Sequence, residues 1–348
     1  MKERLKYHFQ LKKGWLNDPN GPIWFKGKYH LYFQYNPYWP EFKGVHWGHA
    51  VSDDLITWEE MPPALFPDMP YEDQGGCWSG STLEYNGKIY AFYTGVSKQY
   101  GQAQCMAWSE DGVTFHKYEG NPVVRVAPPE GCHEFRDPKV FQYGDKFCML
   151  VASGRDKMAR ILKYDSTDLM NWEYKGVFFE SDKYNSHGEL PDFFGTIRHS
   201  HFECPDFFPF EGKYILTCSL IYAPTHSTLF IYGDFDGDKF TPISFHNPEI
   251  GPDLYATQTF AAPDGRRLAI GWLHHCWKTV TPGLPYAGAM SIPRELSFNK
   301  DGKLCMYPVR EAQHLLTHCG DMAILRDTRT VEIFFGDGET SISTWLDE

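Results

Sequence analysis

The chain has 348 residues, with 33 Lys and Arg against 45 Asp and Glu, a formal net charge of −12. An acidic chain with no basic run longer than a pair argues against nucleic acid and anionic membrane as partners. No apolar run approaches the length of a membrane span. The composition, 42% hydrophobic and 22% charged, is globular and not disordered, and the length suits two domains or one large β or α/β domain. Residues 1–10 carry charges with no apolar stretch behind them, so no signal peptide is expected. The nine cysteines are odd in number and show no paired metal-ligand spacing. They read as reduced and mostly buried, which fits a cytoplasmic protein.

Taken in chain order, one element recurs: a Gly turn followed by an aromatic-rich alternating strand. It starts at Gly27, Gly87, Gly144, Gly212 and Gly265, in steps of 60, 57, 68 and 53 residues. Each copy follows another apolar strand, at residues 22–25, 81–85, 140–143, 207–210 and 259–262. Each precedes an outer segment with a turn and an aromatic, at residues 54–58, 111–115, 168–172, 236–240 and 298–302. Aromatic residues make up 17% of the chain, and 31 Gly and 24 Pro supply the turns; many short strands follow from that mixture. No window of a dozen residues keeps a clean helical period without a Gly or Pro break. Roughly four strands in each of five repeats predict an all-β, five-bladed β-propeller. The competing architecture is a large sandwich of hairpins with accidental spacing.

Three repeats carry an acid just before the first strand. Asp18 stands in WLNDPNG (15–21), Asp137 in FRDP (135–138) and Glu203 in FECPD (202–206), each with a Pro one or two residues later. Pro is confined to strand starts, edges and bulges, so the acids are expected at strand entrances, in the same place in three repeats, where a propeller would bring them together at its axis. Singly, each segment also reads as a turn, a local ion pair or a loop charge. Together they form a set of repelling carboxylates, costly without a purpose. Clustered carboxylates without a metal suit glycoside hydrolysis, in which one acid attacks ionised and another donates its proton.

At these residues the sequence resembles the β-fructofuranosidases of glycoside hydrolase family 32. The matching segments are WLNDPNG (15–21), FQYNP (33–37), WGHAVS (47–52), CWSGS (77–81), FYTG (92–95), FRDP (135–138), FECPD (202–206), YATQTF (255–260), Gly271-Trp272 and SIPREL (291–296). They occur in the family's order over about residues 7–310. The resemblance implies a five-bladed propeller. It implies Asp18 as nucleophile forming a covalent fructosyl-enzyme, Glu203 as general acid and then base, and Asp137 as a carboxylate that stabilises the transition state through ring hydroxyls. It implies a retaining reaction with the Asp18 and Glu203 carboxyls about 5–5.5 Å apart. Asn17 and Gln34 would bind sugar hydroxyls or orient Asp18. Trp15, Trp47 and Trp78 would wall the pocket beside Ser79, and Arg136 would hold ring hydroxyls or a neighbouring carboxylate. Tyr93 and Trp272 would be further pocket members, and packing behind the pocket wall is the other reading of every residue in this group.

The domains implied are residues 1–308, the catalytic propeller, and 309–348, a short β remnant in place of the family's C-terminal β-sandwich. Segments 323–327, 330–335 and 341–345 resemble that module's last strands, and the edges left exposed would favour cover by a second subunit, hence a homo-oligomer. The partner expected is a small carbohydrate, a β-fructoside; no cofactor and no metal are expected. The run 234–238 resembles the start of a calcium loop but lacks Gly at its sixth position, and Phe245 stands where the terminal Glu belongs. His199, His201, His274 and His275 have no partners at zinc spacings. Arg198, Lys157 and Arg160 are loose candidates for a substrate phosphate. Sucrose, sucrose 6-phosphate and short fructans stay open as substrates, as does transfer to a sugar acceptor. The alternatives are an inactive fructoside-binding propeller and a related arabinoside-acting propeller hydrolase. The intact acids argue against the first, and WLNDPNG with FECPD against the second.

Overall fold

The computed structural model describes residues 4–156, 158–181, 201–220, 228–274 and 283–346. Among the described residues the regular structure is strand, apart from three short 3-10 segments at Pro70–Glu72, Arg310–Leu315 and Gly336–Gly338. No helix among them is long and apolar enough to cross a membrane.

The described strands form six sheets. The first joins Gly14–Phe25, Lys28–Asn36, His46–Ser52 and Glu59–Leu65, with Tyr286–Ala287 added in parallel beside Gly14–Phe25. The second joins Gly76–Tyr85, Lys88–Ser97, Gly101–Ser109 and His116–Lys117. Phe135–Tyr143, Lys146–Arg155, Met158–Ser166 and Glu173–Glu180 make the third. Phe202–Phe210, Lys213–Leu220, Thr228–Phe235 and Phe240–His246 make the fourth. The fifth joins Leu254–Ala261, Arg267–Leu273, Arg294–Phe298 and Leu304–Pro308, with Ala289–Met290 beside Arg267–Leu273. The sixth joins Thr317–Cys319, Met322–Arg326, Thr330–Phe335 and Thr340–Trp345.

The first two strands of each of the first five sheets are consecutive in the chain and antiparallel, and the turns explain why. Phe25 pairs with Lys28, Tyr85 with Lys88 and Phe210 with Lys213. The two residues between them, Lys26-Gly27, Asn86-Gly87 and Glu211-Gly212, all have positive φ. That backbone matches the twist of the flanking strands, and glycine supplies its second position without strain.

The outer segments are a second repeated device. Asp54 Oδ1 accepts from Ile56 N and Thr57 N, Asp111 Oδ1 from Val113 N and Thr114 N, and Asp168 Oδ1 from Met170 N and Asn171 N. Ser52, Ser109 and Ser166 donate to the same three carboxylates. The amide bonds of Asn171 and Met170 hold the Asp168 carboxyl at about 2. Asp236 Oδ1 takes Asp238 N and Lys239 N in the fourth repeat, so the run 234–238 is a hairpin turn. Asn299 Oδ1 takes Asp301 N and Lys303 N in the fifth.

Contacts divide the chain into two compact units. One comprises Met1–Ala64, Thr225–Thr228 and His246–Glu348, and the other Leu65–Pro224 and Leu229–Phe245. In the second unit the third and fourth sheets share a core of Phe178, Phe207, Phe235 and Phe240. Phe178 meets Phe207 edge-on, with centroids 5.2 Å apart, the geometry that aromatic quadrupoles favour.

Two expectations need correction. The acid motifs do not precede their strands. Asp18 is the fifth residue of Gly14–Phe25, Asp137 the third of Phe135–Tyr143 and Glu203 the second of Phe202–Phe210. Nor do the acids share one position, as the register at the site makes plain.

Candidate active site

Near its start, the first strand of every repeat sheet takes in one extra residue. Asn17 and Asp18 face the single Gln34, because Leu16 pairs with Tyr35 and Pro19 with Phe33. Asp137 and Pro138 face Val151, Cys204 and Pro205 face Cys218, and Ala256 and Thr257 face Gly271. In the second sheet Ser79 is the extra residue, between the pairs Trp78–Thr94 and Gly80–Tyr93. A bulge bends its strand and re-aims a side chain, and Pro, unable to donate to the ladder, is tolerated in it. By register, Leu16, Arg136, Glu203 and Tyr255 are equivalent, then Asn17, Asp137, Cys204 and Ala256, then Asp18, Pro138, Pro205 and Thr257. The three acids thus occupy three successive positions of one repeated bulge. Their common feature is the bulge.

In the unit that contains the second to fourth sheets, the bulges assemble Trp78, Arg136, Asp137 and Glu203. Arg136 Nη2 and Nε donate to Glu203 Oε1 at 2.6 and 3.2 Å. Its Nη1 donates to Glu134 Oε2 and, at 3.2 Å, to Gln102 Oε1. Its Nη2 also lies against His201 Nε2, and its guanidinium carbon sits 5.8 Å from the Trp78 ring centroid. Arg136 thus lies against a neighbouring carboxylate. Burial disfavours its charge, but the Glu203, Asp137 and Glu134 carboxylates together outweigh burial and hold it protonated.

Asp137 is buried, at φ 62°. Its N–H donates to Thr94 Oγ1 at 2.9 Å, and its Oδ2 accepts from Cys204 N at 2.9 Å. One acid-bearing bulge is so tied to the next. Ser79 is buried beside Trp78. Tyr93, fully buried, donates to Glu72 Oε1 at 2.7 Å, and Glu72 Oε2 also takes Lys117 Nζ at 2.6 Å.

In the other unit, Asp18 is partly exposed between the buried Asn17 and Pro19. Trp15 Nε1 donates to Asn17 Oδ1 at 2.6 Å, and the Trp15 ring lies 6.1 Å from that of Trp272. Gln34 and Trp47 are cross-strand partners, both buried. Asn20, with its amide oxygen turned toward them, accepts from Gln34 N, Gln34 Nε2 and Trp47 Nε1 at 3.2, 3.0 and 3.2 Å. Trp272 is almost wholly buried against His274.

Sequence reasoning missed Glu134, Gln102, Thr94 and Asn20. Thr94 and Asn20 lie inside two of the matching segments, a signal that was at hand; Glu134 and Gln102 lie in none. Among the described residues no group of three His, Cys, Asp or Glu is placed to hold a metal ion. Of the phosphate candidates, Arg160 donates to Glu180 Oε2 at 2.5 Å and to Glu130 O at 2.8 Å. Lys157, Arg198, His199 and His275 lie outside the described residues.

Residues 8–308 match the family model for the N-terminal domain of glycosyl hydrolases family 32. The chain is similar to a sucrose-6-phosphate hydrolase of Escherichia coli, 36% identical over 89% of this chain and 65% of that protein. It is also similar to a levanase of Bacillus subtilis, 35% identical over 89% of this chain and 47% of that protein. The chain therefore spans less than two thirds of these relatives. A solved structure of a Bombyx mori family 32 β-fructofuranosidase, a mutant in complex with sucrose, is 28% identical; the match covers 99% of this chain and 89% of that one, with a TM-score of 0.84.

Proposed function

From the premise that the chain belongs to glycoside hydrolase family 32, we propose that it hydrolyses terminal β-D-fructofuranosides with retention of configuration. The carrying observation is the repeated bulge, which places Asp18, Asp137 and Glu203 at the same end of the first strands of three repeat sheets. In this reading Asp18 attacks the anomeric carbon of the fructosyl ring. Glu203 gives its proton to the departing oxygen, so the bond to the leaving sugar breaks as the bond to Asp18 forms. Glu203, now ionised, takes a proton from water, which attacks the fructosyl-enzyme and releases fructose and free Asp18. Asp137, pinned by Cys204 N, accepts hydrogen bonds from ring hydroxyls that strengthen as positive charge develops. Asn17 would orient Asp18, and Trp15, Trp47 and Trp78 would supply apolar faces to the sugar.

Relatives named sucrose-6-phosphate hydrolase and levanase, and a neighbour holding sucrose, support sucrose, sucrose 6-phosphate and short fructans as substrates. The five repeat sheets are, in the same proposal, five propeller blades, which a crystal structure would display directly. The cytoplasm is the proposed compartment, supported by eight free cysteines among the described residues; recovery of the protein from the medium of its native host would overturn that part.

The test is fructose release from the three substrates by purified protein, with the first-formed anomer followed by NMR. Glu203→Gln and Asp18→Asn should each lower the rate by about 10²–10⁴-fold. A folded protein that turns over none of the three would sink the proposal, and an inverted first product would refute the role given to Asp18.

A further inference from the structure

Arg136 sits between two carboxylates of unequal chemistry. On one side Glu203 Oε1 takes Nη2 and Nε. On the other, Glu134 Oε2 takes Nη1. Gln102 braces that second contact: its Nε2 donates to Glu134 Oε2 at 3.2 Å, while its Oε1 accepts from Phe135 N at 2.8 Å and Arg136 Nη1 at 3.2 Å. The backbone at Glu134 is fixed as well, because Ser153 Oγ donates to its carbonyl at 2.6 Å. The Arg136 and Glu203 side chains are only 8% and 14% exposed and that of Glu134 27%, so solvent screens their mutual field weakly.

An acid catalyst must hold its proton at the working pH. A lone guanidinium in bidentate contact with a carboxylate works against that and lowers its pKa by about 1–3 units. We propose that Glu134 is a positioning residue that draws the Arg136 charge away from Glu203 and so lets Glu203 stay protonated nearer neutrality. This inference rests on the reading of Glu203 as the acid. Among the described residues of this unit, His201 Nε2 lies 3.8 Å from Glu203 Oε1, and Asp137 Oδ2 lies 3.9 Å from Arg136 Nε. Asp206, on the same strand as Glu203, is taken by Lys139 at 2.7 Å. The exposed His133 lies 3.3 Å from Glu134, and His201 also acts on that carboxylate. Three carboxylates thus share the single guanidinium, and deleting the charge of one redistributes it to the others.

The experiment compares the parent protein, Glu134→Gln and Glu134→Asp. The Glu203 carboxyl is titrated by 13C NMR, its signal assigned by its loss in Glu203→Gln, and the pH dependence of fructose release from sucrose is measured alongside. Glu134→Gln keeps the shape and removes the charge. Its Glu203 should titrate about one unit lower, and the basic limb of kcat/KM should move by the same amount, a tenfold loss above the limb with the acid-side rate retained. Glu134→Asp keeps the charge and should restore most of the shift. Identical Glu203 titrations in the parent and Glu134→Gln overturn the inference, as does an Asp variant that behaves like Gln. If Glu134→Gln does not fold, Glu134→Ala gives the same comparison. A parent that releases no fructose defeats the functional proposal, while the carboxyl titration still decides this one.

Discussion

Asp137 combines a charge with a backbone that few residues tolerate. Its φ of 62° lies in the left-handed region, and Cys204 and Ala256 occupy the equivalent bulge position at 47° and 53°. Such residues cost on the order of 1–3 kcal/mol each unless held in place, and the Thr94 and Cys204 bonds hold this one. Asn tolerates the left-handed region well and keeps the acceptor for Cys204 N. Asp137→Asn is therefore expected to melt within about 4 °C of the parent while fructose release falls by about 10²-fold. A melt tens of degrees lower would make Asp137 a structural residue instead, and undiminished activity would remove it from the reaction. The acids stand out in the sequence because each lies one or two residues before a Pro in a repeated context. Their register does not, because an extra residue in a strand shifts every later pairing by one and leaves no trace in composition. Glu134 was invisible for a different reason: its role is a shared contact with Arg136, and nothing in the chain repeats it.

Among the elements, the Asp-capped outer turn best tests whether the repeat is one unit used several times. Burial opposes the Asp111 charge, yet the Thr114 and Val113 amides hold its carboxyl at about 2. Asp168, in the same turn of the next repeat, is held likewise, and Trp172 Nε1 closes that turn on Leu169 O at 2.9 Å. Removing a side-chain acceptor that satisfies local amides costs about 0.5–2 kcal/mol. Asp111→Ala and Asp168→Ala should each lower the denaturant midpoint by that equivalent, without change in catalytic rate. The double variant should show the sum, since the two turns belong to different sheets. A strongly non-additive pair would mean that the two sheets unfold through a shared element. These turns, the paired hairpin glycines and the aromatic strands between them were all readable in the sequence, because each depends on local chemistry alone. The strand starts were not, since Pro and Asn-Asp-Pro-Asn read as turn and the bulge that accommodates them is set by the neighbouring strand.

At the scale of the molecule, the unit that contains the first, fifth and sixth sheets draws on both ends of the sequence, and a buried ion network joins them. His8 Nδ1 lies 2.8 Å from Asp327 Oδ2 and its Nε2 lies 2.8 Å from Glu332 Oε1. Arg294 of the SIPREL segment reaches Glu332 Oε2 at 2.9 Å and Glu249 Oε2 at 2.7 Å, with Ser341 and Ser343 also bonded to its guanidinium. Burial disfavours a charged His8, but bonds to Asp327 and Glu332 overcome it and raise its pKa from 6.5 to about 9. Burial likewise opposes the Glu332 charge, and Arg294 and His8 overcome it, lowering its pKa from 4.5 to about 2. The folded state thus binds more protons than the unfolded state between pH 6.5 and 9 and fewer between 4.5 and 2. Stability from His8 is complete below pH 6.5 and lost as pH rises through 9; that from Glu332 is complete above pH 4.5 and lost as pH falls through 2. The denaturant midpoint should therefore be highest between about pH 4.5 and 6.5 and decline on both sides, the alkaline loss amounting to about 3 kcal/mol. His8→Ala leaves Asp327 and Glu332 buried without their shared cation, which costs about 3–5 kcal/mol and should abolish the alkaline decline. A parent midpoint flat from pH 6 to 9, or a decline that persists in His8→Ala, would show that other groups govern the alkaline stability of the fold.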